Sequence, residues 1–237
     1  MPQCAAVCGK GTTYADDYTL DDLSLHIAPG EIYGFIGHNG AGKTTTLKSV
    51  VGILPFEEGE ITIGGVSVKA DPLSAKKQLA YIPDNPDLYD FMTGEKYLNF
   101  IADIFGVSKA EREARIAKYA ELFALTADLA NPIAAYSHGM KQKLAILSAW
   151  LHTPRLILMD EPFVGLDPVA SHTLKGMMRE HCEGGGAIFF STHVLEVAEK
   201  LCDKVAIIKG GRLIRSGTMA EVKGDDTLED VFLELEE

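Results

Sequence analysis

The stretch GHNGAGKT at residues 37–44 decides the fold of this 237-residue chain. It fits the pattern G-x-x-x-x-G-K-[ST] of a phosphate-binding loop, or P-loop. The apolar run IYGFIG leads into it and the helix-forming run KTTTLKSVVGI follows it. A strand before the loop and a helix after it are the context that the motif requires. An ordinary glycine-rich turn with a surface lysine is the alternative, and this context argues against it.

The residue types of the loop suit phosphate chemistry. Its glycines let backbone N–H groups close around phosphate oxygens, and the N-terminus of the following helix adds a partial positive charge. We predict that Lys43 reaches the β- and γ-phosphates and that Thr44 offers its hydroxyl to Mg²⁺. The predicted nucleotide-binding set is Gly37, His38, Asn39, Gly40, Ala41, Gly42, Lys43, Thr44 and Thr45.

Two further motifs end predicted strands. The run LILMDEP at residues 156–162 places Asp160 at a strand end, as expected for the carboxylate on the Mg²⁺ side of a P-loop nucleotide hydrolase, with Glu161 next to it to polarise water. A solvated acidic turn is the alternative. His193 in FFSTH ends another apolar strand, at the sheet edge where ligands gather, and is predicted to hydrogen-bond the γ-phosphate. A structural histidine is the alternative there.

Strands and helices alternate on both sides of a helical block. Residues 18–27 are predicted to form one strand, and strands are also predicted in GEITIGG, VSVKA, RLILMD, AIFFST, KVAIIKG and GRLIRSG, the last two as a hairpin. This alternation predicts an α/β fold with a mainly parallel sheet. From about residue 92 to residue 150 the apolar spacing is helical, with apolar faces at Leu98, Ile101, Ala102, Phe105, Ile116, Tyr119, Ala120 and Phe123.

Composition excludes several functional classes. The net charge of −12 argues against general nucleic-acid binding, which usually needs a basic face. Residues 221–237 hold eight acids and one lysine, which predicts a solvated acidic tail.

The four cysteines have no C-x-x-C spacing, which favours free or buried thiols. No apolar run approaches the roughly 20 residues of a membrane span, and the N-terminus does not resemble a signal peptide.

The stretch YSHGMKQKL at residues 136–144 poses an electrostatic question. Ser137 is predicted to cap a helix whose first turns carry Lys141 and Lys143 instead of acids. Acidic residues are normally preferred there, because a helix N-terminus is already partly positive. The pattern predicts that an anion arrives at this helix.

The order of these motifs resembles the ATP-binding-cassette (ABC) ATPases over nearly the whole chain. A P-loop is followed by a helical block that ends in YSHGMKQ, then by LILMDEP, GLD and STH. The resemblance implies a P-loop nucleotide-hydrolase core with an N-terminal antiparallel β subdomain and an inserted helical subdomain. Residues 1–237 would form one ABC ATPase domain, with a core of residues 1–84 and 151–237 and a helical insertion of residues 85–150.

The resemblance also implies residue roles, with ATP and Mg²⁺ bound at the core. YSHGMKQKL resembles the family's signature motif, so two cassettes would pair head to tail, and the anion would be the partner's ATP. Ser137 and Gly139 would contact its γ-phosphate, and Asp167 in VGLDP would cross the interface. Tyr14 would stack on adenine, with Tyr18 as the fallback and a simple strand-edge tyrosine as the alternative. The implied catalytic residues are Glu161, His193 and Lys43, and the implied metal ligands are Thr44, Asp160 and Asp84.

The chain departs from the family pattern at three positions. His138 replaces the first glycine of the signature motif, and Met140 replaces its glutamine. Asp84 in YIPDNPDLY aligns with the family's Q-loop glutamine. Aspartate can accept a hydrogen bond from a metal-bound water, but it is shorter and charged, so the metal shell and the coupling to a partner are in question.

The resemblance implies the ATP-hydrolysing subunit of an ABC transporter, peripheral at the cytoplasmic face of the cell membrane. The implied partners are a separate integral membrane permease and a second cassette, which could be identical or different. Nucleic acid is not an implied partner. The forms YSHGMKQ and LEDVFLELEE resemble the export-type branch. Exposed Leu88, Tyr89, Phe91 and Met92 would suit a groove for a permease helix, and local packing of the helical block is the alternative for them. The alternatives are a nucleotide-gated regulatory or assembly module with little turnover, and a soluble ABC ATPase of translation or DNA repair.

Overall fold

A six-stranded sheet forms the centre of the fold. The structure is a computed structural model, and it describes the backbone of residues 5–9, 12–14, 18–20 and 23–235, with the side chains of Leu20 and of residues 23–235. The strands of the central sheet are β5 (Ile32–Ile36), β8 (Leu79–Ile82), β9 (Leu156–Asp160), β10 (Ala187–Thr192), β11 (Lys204–Lys209) and β12 (Arg212–Thr218). Their order is β12-β11-β5-β10-β9-β8, and β12 alone runs antiparallel to its neighbour.

The N-terminal region adds an antiparallel sheet. Its order is β4 (Leu23–Ile27), β1 (Ala5–Gly9), β6 (Glu60–Ile63) and β7 (Val66–Ser67), and a separate pair is formed by β2 (Thr12–Tyr14) and β3 (Tyr18–Leu20). The prediction of one strand over residues 18–27 is therefore wrong, because this stretch contributes β3 and β4 to different sheets. Residues 21 and 22 lie outside the described residues.

The helices cover both faces of the central sheet. They are α1 (Lys43–Val50), α2 (Pro72–Lys76), α3 (Gly94–Ile104), α4 (Lys109–Leu122), α5 (His138–Trp150), α6 (Pro168–Glu183), α7 (Leu195–Leu201), α8 (Met219–Lys223) and α9 (Leu228–Glu234). Two 3₁₀ turns, Thr126–Asp128 and Ile133–Ala135, lie between α4 and α5.

Buried strands create two cores, one on each face. Strands β5, β9 and β10 are buried along their whole length, so alternate residues enter opposite faces of the sheet. Ile157, Met159 and Phe190 join the core with the helical block, whereas Leu156, Leu158 and Phe189 pack with α1 and the N-terminal sheet. The predicted apolar faces of the block are confirmed as buried or partly buried in the first core. The insertion boundaries at residues 85 and 150 stay a prediction.

The C-terminal segment has one exposed face and one buried face. Its described acids are exposed, as predicted. Helices α8 and α9 bury Val222, Leu228, Val231 and Phe232 on the other face, which the acidic composition did not indicate. Cys182 and Cys202 are buried thiols, and burial raises the pKa of Cys202. Cys4 lies outside the described residues, as does the side chain of Cys8.

Candidate functional site

The P-loop joins β5 to α1 at the carboxyl edge of the central sheet. Gly40 and Gly42 adopt left-handed φ angles of 85° and 111°, which glycine reaches without steric cost. Gly42 is the N-cap of α1, no side chain caps this helix, and its first turn holds no acidic residue. The N-terminal N–H groups of α1 are therefore oriented for an anion.

Lys43 is buried beneath the loop. Its Nζ donates to the carbonyl oxygens of Gly37 at 2.5 Å and His38 at 3.3 Å, and the side chain is only 6% exposed. It also lies 3.6 Å from Glu161 Oε1. The cation is thus held within the loop and paired with the carboxylate that follows β9.

Asp160 is a buried carboxylate satisfied by two hydroxyl groups. Thr44 Oγ1 donates to Asp160 Oδ2 at 2.6 Å, and Ser191 Oγ donates to Asp160 Oδ1. Buried carboxylates need such hydrogen bonds to offset their lost hydration. Sequence reasoning missed Ser191, although it stands in the same STH run as His193 and was a visible candidate.

Glu161 adopts a backbone conformation that is rare for its residue type. Its φ is 45°, a left-handed value that costs a non-glycine residue about 1 kcal/mol or more. Its N–H donates to Ser191 Oγ at 3.1 Å and to the Ser191 carbonyl at 3.2 Å. His193 Nδ1 lies 2.9 Å from Glu161 Oε1. The strained turn brings the carboxylate between Lys43 and His193.

These groups surround a cavity of about 220 Å³, here called the phosphate cavity. Asp84 reaches the cavity from the end of β8. Burial raises the pKa of the nearby Tyr81, and the negative charges of Asp160 and Asp84 raise it further. The cavity is lined by His38, Asn39, Gly40, Gly42, Lys43, Thr44, Thr45, Asp84, Asp160 and Glu161. The structure therefore brings together most of the predicted nucleotide, metal and catalytic residues.

A second cavity adjoins it. This C-terminal cavity of about 290 Å³ is lined by Gly37, His38, Asn39, His193, Leu195, Glu229, Phe232 and Leu233. It shares His38 and Asn39 with the phosphate cavity. Ala41 is buried within the loop and lines neither. The side chains of Tyr14 and Tyr18 lie outside the described residues, so the adenine-stacking role stays a prediction.

The signature-like stretch lies on a different part of the chain. Ser137 caps α5 as predicted, its Oγ accepting from Met140 N–H at 3.3 Å. Lys141 Nζ lies 2.7 Å from Asp90 Oδ1, and Lys143 Nζ lies 2.8 Å from Asp167 Oδ2. Both lysines are therefore paired with acids of the same chain, and the arrival of an anion at this helix stays a prediction.

The start of α5 packs directly on the loop that contains Gly165. A Cβ on Gly139 would lie 2.7 Å from the Gly165 carbonyl oxygen, and a Cβ on Gly165 would lie 2.6 Å from the His138 ring. Asp167 caps α6 by accepting from Ala170 N–H at 2.8 Å. Together with Lys143, the hydrogen bond to this N–H lowers the pKa of Asp167. Ser137, Gly139 and Asp167 line neither cavity.

The donor set of the phosphate cavity fits a magnesium ion. Mg²⁺ prefers oxygen ligands and is usually held by one or two protein groups beside phosphates and water. Thr44 and Asp160 present a hydroxyl and a carboxylate side by side, and Asp84 lines the same cavity. Within residues 23–235, no cluster of three His, Cys, Asp or Glu side chains suggests a metal cage made of protein alone.

Comparison with known proteins agrees with this geometry. The family model described as ABC transporter matches residues 20–164. The chain belongs to the ABC transporter family. This cassette is 37% identical over 227 residues to the ABC-type transporter ATP-binding protein EcsA of Bacillus subtilis, covering 94% of this chain and 92% of EcsA. It is 34% identical over 205 residues to the Nod factor export ATP-binding protein I of Rhizobium etli, covering 86% of this chain and 65% of that protein.

A solved structure confirms the predicted fold of the cassette. The structure described as the ATP binding subunit of an ABC transporter superposes with a TM-score of 0.95 at 35% identity, covering 99% of this chain and all of that one. The cassette is thus an ABC ATPase fold that matches ATP-binding subunits, including export-type relatives. Across its described residues, no helix combines the length and the apolar character that crossing a membrane requires.

Proposed function

We propose that this cassette binds ATP with Mg²⁺ in the phosphate cavity and hydrolyses it, as the ATPase subunit of an ABC transporter. The observation that carries the proposal is the placement of Glu161. Its carboxylate lies 3.6 Å from Lys43 Nζ and 2.9 Å from His193 Nδ1. A carboxylate held beside a phosphate-binding loop by a cation and an imidazole is suited to take the proton of an attacking water.

Each neighbouring group has a distinct proposed task. Lys43 exchanges its bonds to the loop carbonyls for bonds to the β- and γ-phosphate oxygens. His193 fixes the Glu161 carboxylate and faces the γ-phosphate. Thr44 and Asp160 hold Mg²⁺, with Asp84 beside them. Bound Mg²⁺ would supply positive charge that offsets the charge developing on the transferred phosphoryl group.

We further propose that two cassettes pair head to tail. Ser137 and the backbone of Gly139 would then contact the γ-phosphate held by the partner cassette. Ser137 and His138 are exposed, and the first turn of α5 carries no acid, so the helix N-terminus attracts an anion. Because Lys141 and Lys143 are paired within the chain, the attraction rests on the N–H groups of this turn and the Ser137 hydroxyl.

Steady-state hydrolysis over a range of cassette concentrations tests this proposal. With Mg²⁺ and saturating ATP, we expect the rate to rise faster than linearly with protein concentration, because each complete site needs the Ser137–Gly139 segment of a second copy. Ser137→Ala should lower the rate without changing ATP affinity for the single cassette. A strictly linear rate would contradict pairing of the cassette with itself, and activity without Mg²⁺ would contradict the metal assignment.

A membrane permease is the proposed partner. Tyr89, Phe91 and Phe100 form an exposed aromatic cluster, with Tyr89 5.8 Å from Phe91 and 5.7 Å from Phe100 between ring centroids. Leu88 and Met92 are partly buried against the core, which agrees with the alternative of local packing, and they anchor the segment that presents the aromatics. Exposed aromatic clusters are typical anchors at interfaces.

A groove of about 340 Å³ extends this surface toward the core. Its lining includes Ile53, Leu79, Tyr97, Ile101 and Phe105, and Ile53 is 57% exposed. An amphipathic helix of the permease is the proposed occupant, which would hold the cassette at the cytoplasmic face of the membrane. The export direction is supported by the similarity to the Nod factor export protein.

Substitution of the aromatic cluster tests the permease contact. Phe91→Ser with Phe100→Ser should weaken binding to a candidate permease about 30-fold or more, since each buried anchor contributes about 1–2 kcal/mol. Basal hydrolysis without the permease should not change. Leu73→Ser is the matched control, because Leu73 is 66% exposed on α2, outside this surface. Equal loss of binding in the control would reject the cluster as the docking surface.

A nucleotide-gated module with little turnover is the second candidate. The carboxylate of Asp84 at the Q-loop position and the His138 substitution in the signature motif favour it. ATP binding without turnover, both alone and with a permease, would establish this candidate. Turnover that a permease stimulates would establish the first.

A further inference from the structure

Helix α9 is fastened to helix α7 and to the end of strand β11. Leu228 N–H donates to Glu199 Oε2 at 3.4 Å, and Glu199 belongs to α7, which follows His193. Lys209 Nζ, at the end of β11, donates to the Leu235 carbonyl at 2.9 Å. A helix of this length is marginal in isolation, so these contacts and its buried apolar face determine its position.

Phe232 connects α9 to the P-loop. Its ring is 6% exposed and meets the His38 imidazole edge-on, with ring centroids 4.8 Å apart and an interplanar angle of 65°. Edge-to-face pairs of this kind contribute beyond the apolar area that they bury. His38 is an exposed residue of the loop.

The contact between Phe232 and His38 affects the loop backbone that would bind phosphate. The His38 carbonyl accepts from Ala41 N–H at 3.1 Å and from Lys43 Nζ at 3.3 Å. The neighbouring Gly40 and Gly42 make this loop conformationally permissive. A ring that fixes His38 therefore reduces the conformational freedom that the loop would otherwise lose when a ligand binds.

We propose that α9 is a positioning element of the nucleotide site and that Phe232 is its positioning residue, acting through His38. This inference rests on the proposed function, because the role concerns the affinity of the P-loop for ATP. It assigns a task to the C-terminal segment within a single cassette, without requiring a second copy or a permease.

Equilibrium binding of Mg²⁺-ATP by calorimetry tests the inference. Every variant is made in a Glu161→Gln, Ser137→Ala background, which suppresses turnover and removes a proposed contact between paired cassettes. Phe232→Leu retains apolar bulk and removes the aromatic pair. It should weaken binding about 2- to 12-fold, the range that one such pair contributes. Phe232→Tyr, which keeps the ring, should bind like the parent. Leu228→Ala controls for loosening of α9, because Leu228 is buried on the same helix but lines neither cavity.

A double-mutant comparison with His38→Ala separates positioning from stability. In the His38→Ala background, Phe232→Leu should cause no further weakening of ATP binding, because the His38 ring that Phe232 contacts is already absent. Equal effects of Phe232→Leu and Leu228→Ala, or a full effect of Phe232→Leu without the His38 ring, would overturn the inference. A parent protein that binds no ATP would overturn the proposed function, and the inference with it.

Discussion

Glu161→Gln should slow ATP turnover about 10²–10⁴-fold, the loss expected when a general base is removed. The amide keeps the size of the side chain and its place beside Lys43 and His193, but it cannot accept a proton from the attacking water. ATP binding should persist, so paired cassettes should accumulate with ATP trapped between them. Phosphate release measures the turnover, and size-exclusion chromatography with Mg²⁺ and ATP measures the pairing.

A distant carboxylate supplies the control for Glu161. Glu180 on α6 is ion-paired with Lys118 at 3.0 Å, so Glu180→Gln also neutralises a paired acid and should leave turnover within about twofold, as expected for a surface pair. A Glu161→Gln protein that keeps more than a tenth of wild-type turnover would show that another group activates the water. His193 and Asp84 would be the next groups to substitute.

Lys43→Ala should weaken ATP binding about 10- to 150-fold, because a charge-assisted hydrogen bond contributes about 1.5–3 kcal/mol. The lysine is buried and already directed into the loop by the carbonyls of Gly37 and His38. It therefore needs little reorganisation to reach phosphate oxygens. Its loss also leaves Glu161 without its cation, so turnover should fall more than affinity. Calorimetry with Mg²⁺-ATP measures the binding.

Lys48 is the matched control for Lys43, since it lies in the last turn of the same helix. Lys48 is half-buried, and Lys48→Ala removes one positive charge from α1 but none from the phosphate cavity, so ATP affinity should remain within about twofold. Equal losses in the two variants would mean that the net charge of α1, and not Lys43 itself, governs binding.

Local sequence patterns predicted much of the central fold and the phosphate cavity. The runs that became β9 and β10 are apolar because both faces of the sheet are covered, and such runs are typical of buried parallel strands. Parallel strands direct their carboxyl ends to one edge of the sheet, so Asp160, Glu161 and His193 were expected near the P-loop. The motif residues converge for this topological reason.

Contacts between distant parts of the chain were not predictable in the same way. The ion pairs of Lys141 with Asp90 and of Lys143 with Asp167 join segments that no local pattern relates. Helix α9 was different, because its signal was present but outweighed by the acidic composition. Leu228, Val231 and Phe232 have helical spacing, and Thr227 with Asp230 forms a capping box.

The loop between β9 and α6 begins at the strained backbone of Glu161 and ends at Asp167, which Lys143 holds to α5. In a pair of cassettes, the end of α5 that would touch one nucleotide is thereby linked to the carboxylate that acts on the other. A small shift of α5 would then change the position of the Glu161 carboxylate relative to the nucleotide on which it acts. Two ATP molecules in such a pair would not be consumed as independent events, and occupancy of one site would set the timing of the other.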